Sequence, residues 1–427
     1  MKTVREVAAA ALLRVESGGY STLVFDSALS KSGLDARDQA LAAALFYGVL
    51  ERKLTLDHCI GRYARPKLTE TVRAILRLAF YQLLYLDTIP PHAAVSEAVA
   101  MTRTMGQGAA SGLVNGVLRS FLRDGCRIPP VKGTLYQRME VEFSCPAAWC
   151  ERFCARYGEE KTREFLARSF GRPPVFLRAN PLKATEEGLL SALSAEGYQA
   201  ERCEGVPGAW RSAGGLAHSR AYGEGLFLIE DLSAQQAALL CGAQPGDRVL
   251  DVCAAPGGKS FLMAAQMENR GEIVACDLSE KRLRLIESGA RRLGITVIRT
   301  ARNDGTKPNE AFGRFDRVLC DVPCSGLGVL RRKPEVKYRG PEASKDLPET
   351  QYKILETSSH YCKAGGVLVY STCTIRPEEN EEITGRFLAR HTGFEPVLWN
   401  GDRFDRTILP GEEGGDGFYL AKMRRRG

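Results

Sequence analysis

Through the first third of the chain, apolar residues recur every three or four positions, the spacing of one helical face. Val4, Val7, Ala8, Ala11, Leu12 and Val15 predict an amphipathic helix at the start. Residues 69–86 repeat the pattern with Val72, Ile75, Leu76, Ala79, Phe80 and Leu83, and residues 111–122 with Leu113, Val117, Leu118 and Phe121. Pro90 and Pro91 break one helix before another starts, and Ile128-Pro129-Pro130 closes this all-helical stretch. The pattern then changes. Helical spacing at 146–157 and 159–170 leads to a strand at 175–179, an Asn180-Pro181 break, a helix near 185–195 and short glycine-rich strands. From about 226 onward, strands at 248–252, 273–276, 296–300, 317–320 and 367–371 alternate with helices. The expected architecture has three parts: an all-α domain over 1–135, a small α+β linker domain over 140–225, and an α/β domain over 226–427. The last should hold a mostly parallel sheet covered on both faces.

The chain has 427 residues and a net charge of +8. Residues 1–140 carry 18 Lys and Arg against 12 Asp and Glu, so most of that excess lies in the first third. Such a balance favours a polyanionic partner. No apolar run approaches the roughly 18 residues of a membrane span, and the charged start does not read as a signal peptide. A cytoplasmic monomer without a membrane partner is therefore expected. Its thirteen cysteines should stay reduced there. Cys145, Cys150 and Cys154 cluster, but without a zinc-ligand spacing and with no histidine near, so no metal is expected.

Ligands of such sheets sit at the carboxyl ends of the strands. The first loop there, residues 251–259, reads Asp-Val-Cys-Ala-Ala-Pro-Gly-Gly-Lys and opens a helix. Its small residues let a ligand approach the backbone. It ends like a nucleotide P-loop, but the position that would need glycine holds Cys253. Asp277 ends the next strand and could accept both ribose hydroxyls of an adenosine group. A strand-end Asp also serves as a helix cap, and Ser279 competes for that role. Asn303-Asp304-Gly305 offers a carboxylate for an adenine amino group, or simply a turn. Two further loops, Asp321-Val-Pro-Cys-Ser-Gly326 and Ser371-Thr-Cys-Thr-Ile-Arg-Pro-Glu-Glu-Asn380, each place a cysteine just past an apolar strand. A helix starting at Pro377, with Arg376 beside it, would favour a thiolate at Cys373. The basic run from Arg331 to Arg339 follows the first of these loops and is a candidate phosphate contact.

These two loops, together with 251–259, resemble the signature of the Nop2/Sun family of RNA 5-methylcytosine methyltransferases. Residues 1–130 resemble a NusB-like helical domain through Leu45-Phe-Tyr-Gly-Val-Leu, Leu76-Arg-Leu-Ala-Phe-Tyr-Gln, Ile89-Pro-Pro-His-Ala-Ala-Val and Leu113-Val-Asn-Gly-Val-Leu-Arg119. The helical domain narrows the resemblance to the bacterial branch acting on small-subunit ribosomal RNA. Two departures are visible: Glu230-Asp231 stands where Gln-Asp is expected, and Thr374 where serine is commoner. The resemblance implies a Rossmann-like class I methyltransferase domain that uses S-adenosyl-L-methionine, with 16S rRNA or its precursor as partner. It implies Cys373 as nucleophile and Cys324 in product release, a choice spacing alone cannot make. Asp321 and Lys259 are further catalytic candidates near the base. Cofactor contacts are implied for Cys253, Ala254, Ala255, Pro256, Gly257, Gly258, Lys259, Asp277, Arg282, Asp304 and Asp321. Two rival readings remain at this point: a tRNA or protein methyltransferase, and a non-catalytic RNA-binding or antitermination module. Retention of both cysteines and all three carboxylates argues against the module.

Overall fold

The computed structural model describes residues 2–64 and 67–427. The chain divides into two compact units, residues 1–171 with 330–343, and residues 172–329 with 344–427. Among the described residues, no helix is long and apolar enough to cross a membrane.

Among the described residues the first unit holds ten α-helices: α1 (Val4–Glu16), α2 (Ser21–Leu29), α3 (Ala36–Glu51), α4 (Lys53–Tyr63), α5 (Glu70–Tyr85), α6 (Pro91–Thr104), α7 (Ser111–Arg123), α8 (Leu135–Phe143), α9 (Ala147–Tyr157) and α10 (Glu159–Arg168). Several of these helices begin where a side chain satisfies one of the first free N–H groups. Thr3 and Glu6 cap α1 reciprocally, and the Thr69 hydroxyl caps α5. The stripes anticipated on α1, α5 and α7 meet in one core with Leu45, Phe46 and Ile60, while Leu83 and Leu113 lie at its edge. α5 is wrapped further round than one stripe allows, so Arg77 is also buried. Its guanidinium pairs with both Asp57 oxygens, at 2.8 and 2.7 Å, and with Glu16 at 2.9 Å.

Helices α8–α10 pack with this unit. Thr55 Oγ1 of α4 donates to the Val141 carbonyl at 2.6 Å, and the Leu54 N–H to Ser144 Oγ at 2.9 Å. The compact division thus falls at 171/172, inside the span 140–225 read from sequence as one α+β segment.

The basic run at 331–339 divides: Lys333 and Arg339 are exposed and Arg331 and Arg332 half-buried, whereas Lys337 is withdrawn from solvent. Pro334, Glu335, Val336 and Lys337 are buried in the helical unit as a one-turn helix. Lys337 Nζ donates to the Glu51 carbonyl at 2.9 Å and the Phe143 carbonyl at 3.3 Å, and Tyr338 Oη donates to the Leu50 carbonyl. The aromatic and aliphatic residues alternating with the charges decide this: the segment has enough apolar surface to be drawn inside.

The second unit begins with β1 (Val175–Ala179), α11 (Glu186–Ala195), β2 (Glu201–Arg202), β3 (Ala209–Ser212), α12 (Arg220–Gly223) and β4 (Phe227–Ile229). Its four strands form an antiparallel sheet in the order β2-β3-β1-β4. Next come α13 (Leu232–Cys241), β5 (Arg248–Asp251), α14 (Gly258–Gln266), β6 (Glu272–Asp277), α15 (Glu280–Leu293) and β7 (Ile298–Arg302). The chain continues with β8 (Phe315–Asp321), α16 (Leu347–Ser359), β9 (Cys362–Thr372), α17 (Glu381–Arg390), β10 (Phe394–Pro396), β11 (Asp405–Ile408) and β12 (Phe418–Arg425). The main sheet runs β10-β12-β9-β8-β5-β6-β7, with β11 on β12. From β9 to β7 every pairing is parallel.

The parallel strands match the expected ones, with one slip. The strand expected at 296–300 lies at Ile298–Arg302, because Thr296 N–H is taken by the Asn269 side chain and Val297 turns into the sheet. Residues of α13, α14 and α15 cover one face, and residues of α16 and α17 the other. The antiparallel β12 was not anticipated. It pairs with β9 from Thr372↔Tyr419 to Val367↔Arg424 and leaves β9 fully internal.

Burial pushes Lys337 down to about 8. Between about pH 8 and the ordinary lysine value the unfolded chain holds a proton that the folded one does not, so this group favours folding increasingly as pH rises through that window. In paired urea titrations of wild type and Lys337→Met, the wild type should gain about 3 kcal/mol relative to the variant between pH 7 and pH 10.5. A difference that stays flat with pH would mean Lys337 titrates normally.

Candidate active site

Asp251, Asp277, Asp321 and Thr372 end four neighbouring parallel strands, so the loops that follow share one rim. After Asp251 the chain turns sharply. The Ala254 N–H bonds the Cys276 carbonyl at 2.7 Å, which ties this loop to the end of β6. Gly257 has a φ of 115° at the start of α14, which a side chain would strain. At Gly258 a Cβ would fall inside the Glu230 carboxylate. The two glycines are therefore required by backbone conformation and by close approach.

Lys259, on the first turn of α14, lies between acids. Its Nζ is 2.8 Å from Asp321 Oδ2 and 3.8 Å from Glu230 Oε1. Burial alone would lower its pKa, but Asp321 and Glu230 outweigh burial and raise it, so Lys259 is a fixed cation and hydrogen-bond donor. Ser371 Oγ donates to the other Asp321 oxygen at 2.8 Å. Asp251 is buried beneath, with Ser260 Oγ at 2.7 Å; burial, reinforced by Asp321, pushes it up to about 7.

The carboxylates of the neighbouring loops divide between turn and rim. Asp277 Oδ1 accepts the Ser279 N–H at 2.9 Å, and Oδ2 pairs with Arg282 at 2.9 Å. Arg282 in turn donates to the Ala255 carbonyl at 2.6 Å, so it links the first two loops. Asp304 Oδ1 accepts the N–H and hydroxyl of Thr306, which hold its pKa low, while Lys307 stands 3.4 Å from Oδ2. Gly305 sits against Val252, where a Cβ would be 3.0 Å from its methyl carbon. The third loop thus closes on the first.

Cys324 and Cys373 come together: their sulfurs are 3.2 Å apart and both residues are half-buried. The Cys324 pKa is driven well up, first by the contact with Cys373 and then by burial, so Cys324 keeps its proton. A staple holds the two loops. Ser325 and Thr374 hydroxyls are 2.8 Å apart, and the Gly328 N–H bonds the Cys373 carbonyl at 2.9 Å. Thr374 keeps the hydroxyl that a serine would supply, so this departure preserves the link. Thr372 Oγ1 donates to Asn380 Oδ1 at 2.6 Å, and Asn380 Nδ2 to the Thr374 carbonyl at 3.0 Å.

The helix expected to start at Pro377 is corrected. Pro377–Glu379 form one 3₁₀ turn, and α17 begins only at Glu381. Asn380 interrupts them with φ −121° and ψ −101°, so no long helix dipole starts beside Cys373. The buried Arg376 reaches Ser344 Oγ at 2.6 Å and Glu379 Oε1 at 3.2 Å. Glu379 lies on this short turn. It is fully buried, and its Oε2 accepts the Ser325 N–H at 2.9 Å and Gln351 Nε2 at 2.8 Å. Glu379, Gln351, Ser325 and Asn380 were missed; only their non-local pairing distinguishes them.

Cys145, Cys150 and Cys154 are free thiols, with Cys150 donating to the Cys145 carbonyl and Cys154 facing Met139. Among the described residues no group of three His, Cys, Asp or Glu is placed to hold a metal ion.

Residues 238–424 match a family model described as 16S rRNA methyltransferase RsmB/F, residues 2–123 one described as NusB family, and residues 145–213 an RsmF/B-like ferredoxin-like domain. The chain is 35% identical over 443 residues to the probable ribosomal RNA small subunit methyltransferase B of Bacillus subtilis, covering 100% of this chain and 99% of that one. It is 33% identical to the ribosomal RNA small subunit methyltransferase B of Salmonella paratyphi A, covering 98% of each. A methyltransferase homologue from Pyrococcus horikoshii superposes with a TM-score of 0.60 at 26% identity, covering 69% of this chain and 100% of that one.

Removing Glu379 should unfasten both cysteine loops. Glu379→Ala leaves Arg376 and the Ser325 N–H short of an acceptor, and is expected to lower unfolding free energy by about 3 kcal/mol. Thr374→Val removes one hydroxyl bridge and should cost about 1 kcal/mol. Urea unfolding followed by circular dichroism measures both, and equal effects would disprove the ranking.

Proposed function

The chain belongs to the 16S rRNA methyltransferase RsmB/F family, and from that premise we propose that it methylates carbon 5 of a cytosine in small-subunit ribosomal RNA through a covalent bond to Cys373. The observation that carries this reading is the 3.2 Å contact between Cys324 and Cys373 at the rim that also holds Asp321 and Lys259.

The enzyme uses S-adenosyl-L-methionine, which when bound supplies an electrophilic methyl group on a sulfonium. The residues fit such a group: Gly257 and Gly258 leave no room for side chains, and carboxylates at successive strand ends suit hydroxyl and amino donors. Residues 253–259 with Asp277, Arg282, Asp304 and Asp321 would hold it. Arg282 fixes the Asp277 carboxylate against the loop.

Carbon 5 of cytosine is a weak nucleophile. Addition of the Cys373 sulfur to carbon 6 makes an enamine whose carbon 5 can attack, splitting one hard step into easier ones. The protonated Cys324 is placed to donate to the Cys373 sulfur when that sulfur later leaves carbon 6. After transfer, the carbon-5 proton passes to the Cys324 sulfur as the Cys324 proton passes to the departing Cys373. The carbon–sulfur pair returns to sulfur and the ring double bond reforms. Asp321 can accept from the cytosine amino group, and the fixed Lys259 cation can offset negative charge building on the ring. The target base must be unpaired or flipped out of its stack. The NusB-like helical unit is proposed as a second RNA contact.

Purified protein given S-adenosyl-L-methionine and unmodified 16S rRNA should form 5-methylcytidine at one cytosine, read by mass spectrometry of the digest. Product only on tRNA would overturn the substrate, and no product on either would overturn the reaction. Cys373→Ala should abolish methylation. Cys324→Ala should instead accumulate a denaturant-resistant protein–RNA adduct; an adduct from the Cys373 variant alone would reverse the two roles.

A further inference from the structure

Gln351 lies on α16, 27 residues after Cys324 in sequence, and is fully buried. Its amide Nε2 donates to two acceptors: the Pro323 carbonyl at 2.9 Å and Glu379 Oε2 at 2.8 Å. That same Glu379 oxygen accepts the Ser325 N–H at 2.9 Å. Both peptide groups flanking Cys324 are therefore tied to one amide–carboxylate pair. Glu379 itself belongs to the loop of Cys373, where Tyr370 Oη donates to its carbonyl at 2.6 Å. One side chain thus fastens the Cys324 loop to the Cys373 loop from behind.

The opposite end of the amide sharpens the argument. Gln351 Oε1 is buried and has no hydrogen-bond partner among the described residues. An orphaned buried acceptor carries a desolvation penalty that an apolar side chain of the same size would avoid. The position tolerates that penalty for the sake of its two donors, and such exceptions concentrate where geometry serves function.

We propose that Gln351 is a positioning residue that keeps the Cys324 sulfur within reach of Cys373 for the release step. This rests on the covalent-cysteine reading above. Attack on carbon 6 needs only Cys373, and so survives loosening of the other loop. Release needs the Cys324 proton delivered to the departing Cys373 sulfur and the carbon-5 proton taken up by Cys324, and a small drift of the loop removes that alignment.

The test compares Gln351→Met, similar in volume but without donors, with wild type and Cys324→Ala on unmodified 16S rRNA. Three quantities are read: methyl transfer with enzyme in excess, the multiple-turnover rate, and the denaturant-resistant adduct. For Gln351→Met the multiple-turnover rate should fall about tenfold or more, single-turnover transfer should stay within about threefold, and adduct should accumulate. A merely structural role would lower both rates together without adduct; that result, or no change in any quantity, overturns the proposal. If Gln351→Met fails to fold by circular dichroism, Gln351→Glu takes its place with the same expectation and the same overturning result. Should Cys324→Ala give no adduct, the covalent reading itself has failed. Should it give adduct while the Gln351 variant gives none, only the role of Gln351 has failed.

Discussion

Strands β8 and β9 run parallel with Asp321 opposite Ser371, and the chemistry at the rim hangs on that pairing. It fixes two loop exits side by side, one carrying Cys324 and the other Cys373. A slip of one residue would turn the side chains to the other face and separate the sulfurs. The bond from Ser371 Oγ to Asp321 pins the register at the end that matters. Pairing of β12 along the far side of β9 keeps β9 internal, so its register is held from both edges.

Around that frame the charges form a closed arrangement. Lys259 is brought to Asp321 by the helix that starts at Gly258, and Glu230 approaches the same glycine. The lysine keeps its proton because two carboxylates outweigh the burial that would remove it. Asp251 beneath them is pushed up, since burial, with Asp321 near, outweighs the Ser260 hydroxyl, the Lys259 cation and the Cys253 backbone that favour its charge. Groups of ordinary type become a fixed cation, a fixed acceptor and a thiol that keeps its proton through their positions alone.

The helical unit shows a different use of charge. Arg77 is buried with two acidic partners, whereas Lys337 is buried with backbone carbonyls. A guanidinium matched to carboxylates stays comfortably charged, while an ammonium hydrogen-bonded to carbonyls loses more to burial than its surroundings return. The segment that brings in Lys337 leaves the second unit after Val329 and re-enters it at Ser344.

Local pattern was enough to set the helices, the parallel strands and the rim on which chemistry had to lie. Helical spacing marked α1, α5 and α7, and apolar runs ending in Asp251, Asp277 and Asp321 marked the strand ends, because burial periodicity and turn residues are local properties. The cysteines were legible through their motifs, as were the glycines through their spacing. What the chain could not announce is anything made by distant residues meeting. The fate of Lys337 depends on carbonyls at Glu51 and Phe143. The short turn after Arg376 depends on Asn380 bonding back to Thr372 and Thr374. The buried bridge from Gln351 to Glu379 joins residues 28 apart whose types suggest an exposed helix face. Each is decided by a hydrogen bond or a burial that exists only once the tertiary structure has removed water from both partners.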